Sequence, residues 1–145
     1  MADGISFMEI DGFRNALNGK ALSTLLNLVT DDVAMQDELG GARSGKTLFG
    51  QNWKNWFAAF PDMTVSSRAT TIQGWNAILE VTVTGTNTGP LALPNGQTFA
   101  ATNKAVRTEA AWALRFNSAG KLAGLRIYGN PSTLLTQLGV ATNPP

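Results

Sequence analysis

The sequence predicts an α+β domain, and three observations predict it. Apolar residues recur at threes and fours as far as Phe60, they alternate at twos beyond Pro61, and the helical stretches come before the strands rather than between them. From Ile5 to Val29 the series Ile5, Met8, Phe13, Leu17, Leu22, Leu25, Leu26 and Val29 follows one helical face, and Asn18-Gly19 divides it into two short helices. Leu48, Phe49, Trp53, Trp56, Phe57 and Phe60 predict a third helix over 45–60, which Pro61 ends because its ring clashes with a continuing turn and it has no N–H to donate.

The strands follow. Met63–Ile72, rich in Thr and Ser, is read as the first. In Asn76–Asn87 the odd positions Ala77, Leu79, Val81 and Val83 are apolar; in Ala105–Phe116 the even positions Val106, Ala110, Trp112, Leu114 and Phe116 are. Asn117-Ser118-Ala119-Gly120 turns the chain into Leu122–Tyr128, making a hairpin. Pro131, Leu134, Leu135 and Leu138 form a terminal helix closed by Gly139. Thr88–Asn103, with Pro90, Pro94 and Asn95-Gly96, reads as a long loop, a lid or a partly disordered segment. No repeat or linker divides the chain, and 1–145 is expected to be one domain.

Composition narrows the chemistry. The 145 residues are 43% hydrophobic and 14% charged, with eleven Lys and Arg against ten Asp and Glu and neither Cys nor His. A net charge of +1 with scattered cations predicts no nucleic-acid partner. Without Cys or His there is no thiolate nucleophile, no disulfide, no Ser-His-Asp relay and no common zinc or haem ligand, and the dispersed carboxylates suggest no calcium loop. No metal and no cofactor are expected. No apolar run reaches the roughly 18–20 residues that span a bilayer, and Met1-Ala2-Asp3-Gly4 does not open a signal peptide, so the expectation is a cytoplasmic protein with no membrane partner.

Gly40-Gly41-Ala42-Arg43-Ser44-Gly45-Lys46-Thr47 satisfies the phosphate-loop pattern and leads into a predicted helix. That mechanism needs a buried parallel strand in front and βαβ units behind. Val33–Glu38 makes a poor central strand and the downstream strands look antiparallel, so the segment is read as a turn and helix start with Ser44 or Thr47 near the cap.

The order of helices, Phe60-Pro61-Asp62, the strand end Gly85-Thr86-Asn87-Thr88-Gly89, the Gly120-Lys121-Leu122 turn and the closing Gln137-Leu138-Gly139 together resemble the SnoaL-like polyketide cyclases of the nuclear transport factor 2-like superfamily. The resemblance runs from about Phe7 to Gly139. It implies a cone of curved antiparallel sheet with three helices from the N-terminal half covering a deep pocket, and a homodimer through the outer sheet face. Thr30–Asp37 is similar to the segment carrying the general base of ketosteroid isomerases in that superfamily, which implies a base at Asp37. The same likeness puts Trp112 where those enzymes keep a protonated Asp. Two departures stand out: Asn130 occupies the position of the usual acid-base Asp, and Asn87 replaces the His of a common Gly-Thr-His-Thr-Gly variant. An amide exchanges hydrogen bonds but not protons near neutral pH.

Candidate site residues follow. Asp37, alternating with Val33 and Met35, would face an apolar cone whose desolvation raises its pKa; the alternative is a surface Asp opening the Glu38–Ser44 turn. The even positions Leu122, Gly124, Arg126, Tyr128 and Asn130 would share an inward face, Tyr128 and Asn130 serving catalysis and Arg126 binding; the alternatives are an Arg reaching solvent from a strand edge and a Tyr bonded to nearby backbone. Asn87, Trp112, Trp56, Met63, Leu79, Val81 and Leu114 complete the expected substrate-binding wall. Glu80 is placed on the outer face in an ion-pair network with Arg68, Arg107 and Glu109.

With both acid-base positions lost, the favoured function is a cofactor-free cyclase of bacterial secondary metabolism that folds a hydrophobic polyketide-like chain for [4+2] cycloaddition, as implied by a likeness to indanomycin-type cyclases. Amide, hydroxyl or indole donors could polarise a carbonyl conjugated to the reacting alkenes. The rivals are an isomerase or aldol cyclase using Asp37 and a non-enzymatic hydrophobic-ligand module.

Overall fold

A computed structural model of the chain describes residues 3–140. Helices α1 (Phe7–Asn18) and α2 (Leu22–Asn27) lead into β1 (Val29–Asp37) and β2 (Gly41–Ser44), followed by α3 (Lys46–Ala59). Then come β3 (Thr64–Gln73), β4 (Asn76–Thr86), the short β5 (Leu91–Ala92) and β6 (Thr98–Phe99), β7 (Ala105–Phe116), β8 (Leu122–Gly129) and α4 (Pro131–Leu138). The expected α+β class is found, with a curved sheet of order β2-β1-β8-β7-β4-β3. All its pairings are antiparallel except β1 with β8, and helices α1 to α3 cover one face.

Local chemistry explains the boundaries. Ser6 and Glu9 form a capping box at α1, which satisfies amide donors that the first turn leaves free; Met8 lies 81% exposed, and the core face is Ile10, Phe13, Ala16 and Leu17. Val29 opens β1 instead of closing the helical face. Leu48, likewise placed on an apolar face by its spacing, is half exposed, while Phe49, Trp53 and Phe60 are buried. Asn130 caps α4 by accepting from the Ser132 amide at 3.0 Å, with Pro131 in the first turn.

The phosphate-loop pattern adopts no loop. Its first half is the edge strand β2, its Gly45 has φ +105° and hydrogen-bonds its amide to Val33 O, and Lys46 pairs with Asp31 at 3.2 Å. Val33–Glu38, expected to make a poor central strand, lies in β1 as far as Asp37, with partners on both sides. No side chain caps α3, so neither Ser44 nor Thr47 has that role.

The segment 88–103 also departs from expectation. Leu91 and Leu93 are buried and β5 pairs with β6 across the Asn95-Gly96 turn, so it is an anchored hairpin strap rather than an open loop. It is tied at both ends by Asn87, which is 1% exposed: Nδ2 donates to Gly89 O (2.8 Å) and Ala59 O (3.3 Å), and Oδ1 accepts from the Thr102 amide and hydroxyl (both 2.9 Å). A Cβ on Gly89 would run into the Ala58 carbonyl, which is why glycine stands at this crossing.

The turn after α3 is fixed by Asp62, whose Oδ1 accepts from the Thr86 amide at 2.7 Å. That bond holds the Asp62 carboxyl below its usual range. A carboxyl depressed on folding adds stability above its unfolded value, about 3.9, and loses it as pH falls through the lower folded value. The stability gap between the native protein and Asp62→Asn, followed by urea unfolding, should therefore narrow steadily below about pH 4. A gap constant from pH 6 to well below 4 would contradict this role.

Candidate functional site

The concave side of the sheet encloses a cavity of about 460 Å³, within the range of about 300–1,000 Å³ typical of small-molecule sites. Its walls come from β1, α3, the ends of β4, β7 and β8, and the first turn of α4. Position along the strands decides which core residues reach it. Trp112, paired with Leu79 on one side and Ile127 on the other, packs edge-on to Phe13 (6.2 Å, 64°) and against Trp53 (5.8 Å, 51°). These rings close the inner end, and Leu79, Val81 and Leu114 are buried core outside the lining. Trp112, Trp56 and Met63 do line the cavity, with Trp53, Phe60, Val83 and Leu134.

Three more expected site residues are elsewhere. Asn87 is the buried tie of the strap and does not line this cavity. Arg126 and Tyr128 lie on the outer face, where Arg126 Nε donates to the Tyr128 hydroxyl at 3.0 Å and Tyr128 is 52% exposed. The cause is a bulge. Phe116 pairs with Leu122 but Arg115 with Gly124, so Ala123 is an extra residue and the inward series passes from Leu122 to Leu125, Ile127 and Gly129. One inserted residue reverses the face of everything after it. Asn130 does line the cavity, exposed, with its side-chain oxygen engaged as the α4 cap. Glu109 pairs with Arg68 (2.9 Å) and Arg107 (3.9 Å), but Arg107 and Glu109, expected on the outer face, are among the residues lining the cavity, and Glu80 makes no ion pair among the described residues.

Asp37 lines the cavity, but not as the solitary carboxylate that an apolar cone would desolvate. Oδ1 accepts from the Gly40 amide at 2.6 Å and Oδ2 from Arg43 Nη2 at 3.0 Å; the two side chains are 15% and 12% exposed. The same Nη2 donates to Asn52 Oδ1 at 2.8 Å, and Nη1 to Gly41 O at 2.9 Å. The β1–β2 hairpin thus presents Arg43 to α3, and Asp37, Arg43 and Asn52 form one polar chain beside aromatic walls. Sequence reasoning missed Arg43 and Asn52. Asn52 had a signal, because it falls three residues after Phe49 and four before Trp56, at a core position of the helix.

A family model described as the SnoaL-like domain matches residues 10–125. The chain belongs to the SnoaL-like family. No curated protein matches it. Among solved structures, this SnoaL-like chain is similar to AclR of Streptomyces galilaeus, a candidate hydroxylase, with 22% identity and a TM-score of 0.77, covering 95% of this chain and 83% of that one. It is similar also to a candidate SnoaL-like polyketide cyclase from Jannaschia (14%, TM-score 0.79, covering 94% and 92%). A candidate polyketide cyclase from Xanthomonas campestris gives 16%, a TM-score of 0.77 and coverage of 91% and 95%. At such identities the likeness establishes the SnoaL-like fold.

Proposed function

We propose that this SnoaL-like protein is a cofactor-free cyclase that closes a carbon ring in a hydrophobic polyketide-like chain by folding it inside the cavity, and that the closure is a [4+2] cycloaddition of the indanomycin type. The observation that carries the reading is the state of Asp37: the one carboxylate expected as a base is committed to Arg43 and the Gly40 amide, while Trp53, Trp56, Phe60, Met63 and Trp112 supply an aromatic and aliphatic stretch of wall and the two other lining carboxylates are an exposed Glu38 and a Glu109 paired with Arg68. In a [4+2] closure two C–C σ bonds form and three π bonds become one, with no proton transferred. Holding diene and dienophile in a near-attack shape supplies the rate, and such positioning is worth up to about 7–11 kcal/mol in well-oriented systems. A soluble chain of this kind would work as a homodimer through the outer face of the sheet, where Ile78 and Tyr128 are exposed.

The test is turnover of a linear polyene bearing a conjugated carbonyl. Native protein should accelerate ring formation, and Asp37→Asn should lower the rate by no more than about tenfold, since removal of a general base costs about 10²–10⁴. A loss of that larger size would favour the acid-base reading, to which the cavity position of Asp37 lends support. Tight ligand binding with no turnover of any polyene would favour a binding module instead.

A further inference from the structure

The inward face of β7 carries one departure from its apolar row. Val106, Ala110 and Trp112 line the cavity, and between the first two stands Thr108, which lines it as well. Register fixes the direction of its side chain. Thr108 is paired with Val83 of β4, itself a lining residue and a member of the inward series Ala77, Leu79, Val81 and Val83. Valine has nearly the same shape and suits a strand wall at least as well, so the hydroxyl is what distinguishes the residue that is present.

That hydroxyl is unbonded and open. Thr108 is half-buried, and its Oγ1 makes no hydrogen bond among the described residues. Nor is it one of the atoms sealed away without a partner, which are Thr30 Oγ1, Asn52 Nδ2 and Trp53 Nε1. The other polar groups of the lining are placed differently. Asp37 is matched by Arg43, and Asn52 has its oxygen held by the same guanidinium and its nitrogen sealed. Glu38, Arg107, Glu109, Asn130 and Thr133 are exposed to solvent, and Thr84 belongs to the outward row with its partner Arg107. Among the described lining residues, Thr108 is therefore the one hydroxyl set into the wall on the inward row.

Its separation from the aromatic end gives the site a length. Four residues of strand lie between Trp112 and Thr108, about 13 Å. The row between them is the lowest part of the wall: Ala110 stands opposite Gly129, where even a Cβ would come within 3.4 Å of the Ala110 Cβ. Space therefore runs along β7 from the rings of Trp112 and Trp53 to the Thr108 hydroxyl, apolar at the first end and hydrogen-bonding at the second.

We infer that Thr108 binds the oxygen function of an elongated occupant whose apolar end rests on Trp112. A hydroxyl both donates and accepts, so a carbonyl or an alcohol suits it equally. The occupant is accordingly an amphipathic chain rather than a pure hydrocarbon. Its oxygen lies roughly eight to ten carbons from the apolar end, given C–C bonds of about 1.5 Å. This rests on the reading of the cavity as a hydrophobic-ligand site and adds the direction in which the chain lies and the group it must carry.

Two probes of nearly equal shape test it, 2-decanone and 2-methyl-1-decene, in which a methylene replaces the carbonyl oxygen. Equilibrium dialysis with native protein, Thr108→Val and Thr108→Ser separates the hydroxyl from packing. The ketone should lose about threefold to tenfold in affinity in Thr108→Val and stay within about twofold in Thr108→Ser, while the alkene binds native protein and Thr108→Val alike. In the native complex, nuclear Overhauser contacts should place the chain's terminal methyl at the Trp112 ring and the methyl beside the carbonyl at Thr108. Equal responses of ketone and alkene to Thr108→Val, a matching loss of the ketone in Thr108→Ser, or contacts with the chain reversed would overturn the inference and leave the hydrophobic-ligand reading in place. Failure of both probes to bind native protein would overturn the two together. The native contacts need no variant, so misfolding of Thr108→Val does not shelter the inference.

Discussion

Replacing Asn87 with Ala is expected to destabilise the protein by about 2–3 kcal/mol, since four side-chain hydrogen bonds, one buried and three part-buried, are lost. Asn87 suits its place because a single amide supplies both donors and acceptors. Its Nδ2 meets the Ala59 and Gly89 carbonyls and its Oδ1 meets the Thr102 amide and hydroxyl, so the end of α3, the start of the strap and the end of the strap converge on one side chain. In the Ala variant the Ala59 carbonyl loses a buried partner, the Gly89 and Thr102 groups lose part-buried ones, and Leu91 and Leu93 lose the frame that holds them inside. Urea unfolding should show a lowered midpoint. A cost below about 1 kcal/mol would mean that the strap is held by its leucines alone.

The second large effect is at Trp112. Truncation to Ala should cost about 3–5 kcal/mol, the usual range for a buried aromatic. It removes a ring that packs against Phe13 and Trp53 at the inner end of the cavity. Trp112→Phe separates stability from shape. It retains an aromatic surface and should cost only about 1–2 kcal/mol, yet it recesses the wall against which a substrate would fold under the proposed function. Ring closure should then fall by about 10- to 100-fold, because an ångström of misplacement suffices to spoil a near-attack geometry. Full activity in a stable Trp112→Phe protein would show that this wall does not shape the reacting chain.

Much of the fold was legible because each buried face writes a period into the sequence. The alternation in 76–87 and 105–116 became β4 and β7, and the run that Pro61 ends became α3. What escaped was local. The bulge at Ala123 leaves one trace, the passage of apolar residues from even to odd positions after Gly124, and reading through it put Arg126 and Tyr128 inside. The strap looked like a loop because its strands are two residues each, although Leu91, Leu93 and the Asn95-Gly96 turn were visible. The site was legible only in part. Asp37, Trp56, Met63, Trp112 and Asn130 reach the cavity wall, but the pairing of Asp37 with Arg43 and of Arg43 with Asn52 depends on a hairpin packing on a helix, and no spacing in the sequence records it.

These contacts bear on the central claim, that the cavity closes a ring by shape and not by moving protons. It is tested most directly by the pH dependence of single-turnover ring closure in the native protein. The account predicts a rate constant that stays level from pH 5 to about pH 8, since no group has to gain or lose a proton in the closing step. A rate that rises with pH through one carboxylate titration in that window, and levels above it, would contradict the account and show that the closing step moves a proton.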